Sequence, residues 1–530
     1  MTEKTQGADV EALNRLGLDL AQAGQYAQAD QIFALLVGAG LADAAALKSY
    51  AIRLAEGGQL AQAETWIRHA LNAQDADPVS HNVLSYCLIE TGRHEEAAQA
   101  ARQAIALAPR FADAHNNLGL ALNSLGRNLE ALEASQMAVR LQPGCQASLL
   151  NHGNVLRALG RSQEALAVTE QACAVGPEIA EAHYNRANLL QDVDRHADAV
   201  LAYDRAVAID PNHSGAHWNR ALCNLLLGAF EVGWAGYEWR WRDPSARPLV
   251  RQFECPLWLG QPDLAGRSIL VHCEQGLGDA LQFIRYAPLL TGLGAKVYVE
   301  AFAPLAELFG AIPGLEAVLS PGQPAPAVDF HCPLMSLPLA LWSGLKDIPS
   351  ATPYLFPTAE QRQPWRERLA GSRRPKIGLA YCGSSTHRDD QNRSIPLGLF
   401  IEALPPGADY FVLQTQLRDT DAELLQTRPD ITWLGPEIGS FTDTAALCEE
   451  MDRMISVDTS LAHLAGALNR PLIVLLPHQP DWRWGLRADT TPWYPSTQLW
   501  RQSAPSDWAP VLSALHQRLQ RVIADMPATG

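Results

Sequence analysis

Residues 115–126, HNNLGLALNSLG, and residues 128–141, NLEALEASQMAVRL, each carry apolar side chains at helical spacing. Gly126 permits the turn between the two helices, and Pro143 closes the unit because proline cannot continue a helix. The same unit recurs along the chain. Gly24, Gly58, Gly92, Gly126, Gly160 and Gly228 lie on one 34-residue grid, with Asp194 filling the gap. Ala29, Ala63, Ala97, Ala131, Ala165 and Ala199 follow five residues later, small where paired helices cross closely. Pro109, Pro143, Pro177 and Pro211 end four successive units. Three combs at one period define an α-helical repeat array.

This pattern resembles the tetratricopeptide repeat over seven units, residues 10–247. A fourth comb, Asn117, Asn151, Asn185 and Asn219, occupies one position of the first helix in four consecutive units. A carboxamide both donates and accepts, so a row of them can pair with a peptide backbone without reading its sequence. The row resembles the asparagine ladder of the O-GlcNAc transferase repeat array, which implies peptide binding. The alternative is that these residues cap or solvate the groove.

Composition narrows the field. The 530 residues carry 41 Lys+Arg against 57 Asp+Glu, a net charge of −16, which opposes bulk attraction to nucleic acid or anionic membrane. Nine scattered cysteines without a C-x-x-C spacing argue against a disulfide framework or a cysteine zinc site. The first residues have no apolar secretory run, and no stretch reads as a membrane span. The expectation is a reduced, cytoplasmic, multidomain protein.

The array ends in Trp234, Tyr237, Trp239 and Trp241, read as core residues sealing the last helix, with a carbohydrate platform as the alternative. Residues 248–266 form a linker whose Phe253, Leu257, Trp258 and Leu259 are expected to pack. From about 267 the period changes. SILVH (268–272), KVYVE (296–300), KIGLAY (376–381), YFVL (410–413), RMISV (453–457) and LIVLL (472–476) read as buried parallel strands alternating with helices. The predicted fold class is therefore a repeat solenoid followed by two Rossmann-like domains, 267–357 and 375–505. A C-terminal helix over 506–524 is placed as a crossover back to the first of them.

Ligands of open α/β sheets bind beyond the C-terminal strand ends. Three loops stand there. The first is Glu274-Gln275-Gly276-Leu277-Gly278-Asp279. It has Leu281 where a dinucleotide fingerprint needs its third glycine, and only Glu300 as a distal acid, which opposes dinucleotide binding. Asp279 is either a helix-dipole partner or a general base. The second loop, 382–394, offers Ser384, Ser385, Thr386, His387, Arg388 and Arg393, chemistry suited to a diphosphate. In the third, Asp458, Thr459 and Ser460 start a helix that they can cap while leaving amides for a ligand. His463 faces either the site or the sheet.

The combination EQGLGD, CGSSTHRDDQNRS, SVDTSLAHLAGAL and DWRWGLR resembles bacterial GT-B glycosyltransferases of the heptosyltransferase-like superfamily. With the repeats, the whole chain is similar to bacterial protein glycosyltransferases, including flagellin-modifying ones. The resemblance implies that Asp279 is the general base. It implies donor contacts from Gly276, Gly278, Ser384, Ser385, Arg388, Arg393, Asp458, Thr459, Ser460 and His463, with position 415 (Thr415) added, and inversion at the anomeric carbon. No D-x-D pair stands in a strand-end loop, so no metal is expected, and the nucleotide-sugar is a substrate rather than a cofactor. The expected partners are a nucleotide-sugar donor and a protein or peptide acceptor along the repeats. Alternative readings are a lipid or oligosaccharide acceptor, or a non-catalytic adaptor with a relic GT-B domain. Arg483 is expected near the cleft.

Overall fold

The computed structural model describes residues 3–74, 76–242, 251–342, 348–385 and 390–525. It divides into two compact units, residues 1–216 and 217–530.

The first unit is an array of antiparallel helix pairs running from Glu3–Gln22 to His196–Ile209. The turn between paired helices places its glycine in the left-handed region, at φ 72° in Gly126 and 75° in Gly58. Asp194 accepts the same conformation at φ 60°, so the gap in the glycine comb is a substitution and not a change of turn. All six grid alanines are fully buried, because a larger side chain there would separate the paired helices. Helix Ala44–Glu56 is capped by Asp43 and helix Pro78–Glu90 by Asp77.

The second unit takes in helix Phe230–Tyr237 and the 3₁₀ turn Glu238–Arg242. This division falls before the expected end of the repeats at 247. The reason lies in the aromatic cluster: Trp234 and Tyr237 are buried, and Trp234 packs edge-on against Phe283, Trp482 and Trp493 of the α/β region. Burying each such ring contributes about 2–3 kcal/mol.

Two parallel sheets follow. β1 (Ser268–His272), β2 (Lys296–Glu300), β3 (Leu315–Leu319) and β4 (Phe330–Pro333) run in the order β3-β2-β1-β4. β5 (Lys376–Ala380), β6 (Asp409–Val412), β7 (Ile431–Trp433), β8 (Arg453–Val457), β9 (Leu472–Leu476) and β10 (Thr497–Arg501) run in the order β10-β9-β8-β5-β6-β7. The whole is a helical repeat solenoid followed by an α/β region with two sheets, consistent with a GT-B fold. In each sheet the chain steps outward and then returns to the other side of its first strand. The switch points thus fall between β1 and β4 and between β5 and β8, where ligand crevices open in such sheets.

The described part of the linker packs as expected in part. Trp258 is buried and donates its backbone N–H to the His331 carbonyl, while Phe253 stacks on His331; Leu257 and Leu259 remain exposed. The C-terminal helix, Ala509–Asp525, corrects its expected placement. Its Val511, Leu512, Leu515 and Leu519 pack with Ile377, Tyr410, Ile455 and Ile473, so it covers the second sheet and does not return to the first. Among the described residues no helix is long and apolar enough to cross a membrane.

Candidate active site between the two sheets

The three loops singled out above leave β1, β5 and β8, the strands at the two switch points. Gly276 begins the short helix Leu277–Phe283, and Asp279 Oδ2 accepts its backbone N–H at 2.8 Å. The neighbouring Gly278 lies against helix Ser460–Ala467. A Cβ on Gly278 would stand 3.0 Å from His463 Cδ2 and 3.6 Å from Ser460 Cα. The glycine therefore permits a close approach of two chain segments, where the sequence suggested the approach of a ligand.

Thr459 has the extended backbone of a helix N-cap, yet its side chain makes no capping bond; its hydroxyl pairs with Ser456 at 3.1 Å. The expected side-chain cap is thus absent, and the first amides of the 460–467 helix are left without a side-chain acceptor. Arg393 of the second loop donates to the Asp458 carbonyl at 3.1 Å, joining loop two to loop three. The base of loop two is pinned by Asp390, which accepts from Ser394 at 2.7 Å and Arg418 at 2.6 Å. Ser384 and Ser385 are exposed at its start, and Arg388 and His387 lie outside the described residues. Thr415 is exposed beyond β6; the side chain that reaches inward there is Gln414, whose Oε1 accepts the Tyr381 N–H at 3.2 Å.

His463 faces neither solvent nor the sheet alone. Its ring stacks on Trp484, Nδ1 lies 2.9 Å from the Tyr494 hydroxyl, and Nε2 lies 4.0 Å from Asp458 Oδ1. Burial, reinforced by Arg483, Arg285 and Arg393, holds it neutral, with its pKa well below the usual histidine range. Burial pushes the Asp458 carboxyl up to about 6, and the Asp481 carboxylate adds to the rise.

Two arginines grip the first loop, and both sit in the same local pattern. Glu238-Trp239-Arg240-Trp241 and Asp481-Trp482-Arg483-Trp484 each form a 3₁₀ turn. Arg240 bonds Glu238 at 2.7 Å, Glu274 at 3.0 Å and Ser336 at 2.7 Å. Arg483 bonds Asp481 at 2.8 Å and Asp279 at 2.5 Å. Between the two grips Gln275 adopts φ 66°, rare for a residue with a side chain, and accepts the Tyr237 hydroxyl proton at 3.1 Å. Burial pushes the Glu274 carboxyl up to about 7 against the pull of Arg240. Of the two arginines, the sequence placed only Arg483 near the cleft. The repeated acid-Trp-Arg-Trp pattern was the signal for Arg240, hidden because its aromatics read as plain core. Glu300, the distal acid, is bound by Arg251.

The asparagine comb separates into two kinds. Asn117 donates to Asn82 Oδ1 and Asn151 to Asn116 Oδ1, each at 2.9 Å and each across 35 residues. These amides stitch neighbouring repeats together. Thirty-five residues before Asn185 the sequence has Leu150, whose side chain is no acceptor. Asn219 belongs to the second unit.

Comparison with known proteins agrees with the order of repeats and then an α/β region, with the repeat match running past residue 216 to 232. Residues 88–144, 150–214 and 186–232 match the tetratricopeptide repeat model, and residues 419–504 match glycosyltransferase family 9 (heptosyltransferase). The chain carries tetratricopeptide repeats followed by a glycosyltransferase family 9 domain, which supports a glycosyltransferase. Protein FlbA of Caulobacter vibrioides is 25% identical over 333 residues, 56% of this chain and 53% of that protein. The chain therefore spans about half the length of that relative. Among solved structures, a thermophilic TPR protein of Thermus thermophilus, TTC0263, is 22% identical and covers 34% of this chain and 100% of its own, with a TM-score of 0.32. YrrB, a TPR protein with an unusual peptide-binding site, is 22% identical and covers 36% of this chain and 98% of its own, with a TM-score of 0.30.

Proposed function

We propose that the protein transfers a sugar, with inversion, from a nucleotide-sugar to a hydroxyl of a polypeptide bound along the repeats. The observation that carries this reading is the contact at Gly278, which sets the Asp279 turn against the start of the 460–467 helix. A base and an anion-binding helix start at one crevice are what glycosyl transfer needs. Asp279 takes the proton from the acceptor hydroxyl as that oxygen attacks the anomeric carbon. The bond to the diphosphate breaks on the opposite face. The negative charge growing on the leaving phosphate is met by the uncapped amides of the 460–467 helix and by Arg393. His463, held neutral, and Asp458 contact the sugar or its phosphates. Exposed Ser384 and Ser385, with Arg388 and Thr415, complete the donor contacts in this reading.

With arginine and helix amides opposing the phosphate charge, the reaction requires no divalent metal and no cofactor. The repeats supply the peptide site in this reading, with the first-helix asparagines of the array as its candidate contacts. All nine cysteines are free thiols, in keeping with a reducing cytoplasmic setting.

The test is purified protein incubated with a panel of UDP-, GDP-, ADP- and CMP-sugars and a protein or a lipid acceptor. Intact-mass shifts report transfer, and proton NMR of the product reports the anomer. A mass gain on protein with inverted configuration supports the reading. Transfer only to lipid, or retention of configuration, contradicts it.

A further inference from the structure

Asp279 is engaged on both oxygens. Oδ2 holds the Gly276 N–H and Oδ1 holds Arg483 Nη2. A base must present an oxygen within about 2.6–3.2 Å of the hydroxyl it deprotonates. In this arrangement Arg483 takes an acceptor position of Oδ1 that the hydroxyl could otherwise use. The guanidinium itself is only partly used. It contacts Asp279 through one nitrogen, and its Nε is buried without a hydrogen-bond partner. The Nε–Nη2 edge is the fork that binds phosphate through two parallel hydrogen bonds, and here only half of it is occupied.

Resting on the glycosyltransferase reading, we propose that Arg483 is an exchangeable cation: it pairs with Asp279 as seen here and re-pairs through Nε and Nη2 with the diphosphate of the donor. The exchange frees Asp279 Oδ1 for the acceptor hydroxyl, so the base becomes available only after the donor has bound. Three features favour the exchange. Gly278, beside Asp279, touches Ser460, so the present partner of Arg483 and the start of the 460–467 helix are neighbours. The backbone N–H of Arg483 is fixed by Asp481 at 3.0 Å, so only the side chain has to turn. A doubly bonded phosphate is also a stronger partner than a singly bonded carboxylate. Arg240 shares the unpartnered Nε but differs at its terminal nitrogens, which already serve four acceptors: Glu238, Glu274, Ser336 and the Tyr237 carbonyl.

The test is calorimetric titration of the full chain with UDP, GDP, ADP and inorganic pyrophosphate, using wild type, D279N, R483Q and the double variant. Asparagine at 279 can still accept the Gly276 N–H, and circular dichroism confirms that each variant is folded. D279N is expected to bind the effective diphosphate about three- to tenfold tighter, because Arg483 no longer has a carboxylate to leave. R483Q is expected to bind at least about tenfold weaker, and the double variant to bind like R483Q. Unchanged or weaker binding by D279N overturns the exchange. So does a gain that persists in the R483Q background, since that gain reflects only the loss of a negative charge. Wild type that binds none of the four overturns the donor-site reading itself, and the exchange with it.

Discussion

Glu238–Trp241 and Asp481–Trp484 share an order of residues, a 3₁₀ turn and an acid two positions before the arginine, yet they serve the loop after β1 differently. Arg240 is buried and bonded to three side chains and a carbonyl, fixing Glu274 and with it the start of the loop. Arg483 meets only two carboxylates, one through each terminal nitrogen, and it holds the residue proposed to do chemistry; the Nε of both arginines is buried without a partner. The same local pattern becomes a rivet or a hinge according to how many acceptors the tertiary structure brings to it. Local sequence sets the turn, and long-range packing sets the role.

Removing what each arginine holds tests this difference most strongly. Asp279→Asn, which spares the helix cap, is expected to lower transfer by about 10²–10⁴-fold in a steady-state assay while the melting temperature changes little. A variant retaining full rate would end the base assignment. Arg240→Ala should instead act on stability. It strands Glu274 in a buried site and is expected to cost about 3–5 kcal/mol in denaturant unfolding, with part of the loss restored by adding Glu274→Gln. Equal stability losses for Arg240→Ala and Arg483→Ala would erase the distinction between rivet and hinge.

Asp458 sharpens the electrostatic side of the comparison. The folded protein raises its pKa from 3.8 to about 6, so the native state binds the proton more tightly than the unfolded chain. Its contribution to stability is therefore present at low pH and is lost as pH rises from about 4 to about 6, on the order of 3 kcal/mol. Asp458→Asn should flatten that part of the stability profile. An unchanged slope would show that the carboxylate is better solvated than its surroundings imply. The smallest effects belong to the repeats. Asn117→Ala should cost about 1 kcal/mol through its bond to Asn82. Asn185→Ala should leave stability alone and weaken binding of an acceptor peptide, measured by fluorescence anisotropy. Identical behaviour of the two would return the whole comb to a structural role.

The repeats were legible because their causes are local and recur. A left-handed turn needs glycine at Gly58 and Gly126, and a close crossing needs alanine at Ala63 and Ala131. Of the six strands read from the sequence, all but β2 are buried beyond their first residue, where an apolar run is the signal. The other four are edge strands: β3 and β10 carry partly exposed residues, and β4 and β7 have only four and three residues. Asp279 and Asp458 could be picked out because they follow recognisable strands. Their partners could not, since Arg240 and Arg483 lie 34 residues before Glu274 and 204 residues after Asp279, and no spacing encodes such a meeting. The asparagine comb could not reveal that two of its members bond asparagines of the preceding repeat, Asn82 and Asn116, because those partners lie 35 residues away.

The most direct measurement is a crystal structure with the nucleoside diphosphate that binds best. The account predicts phosphate oxygens on the first amides of the 460–467 helix, Arg393 and Arg483 turned onto them, and Asp279 open towards the position of the sugar. A nucleotide seated away from that helix, with the Asp279–Arg483 pair intact, would contradict it.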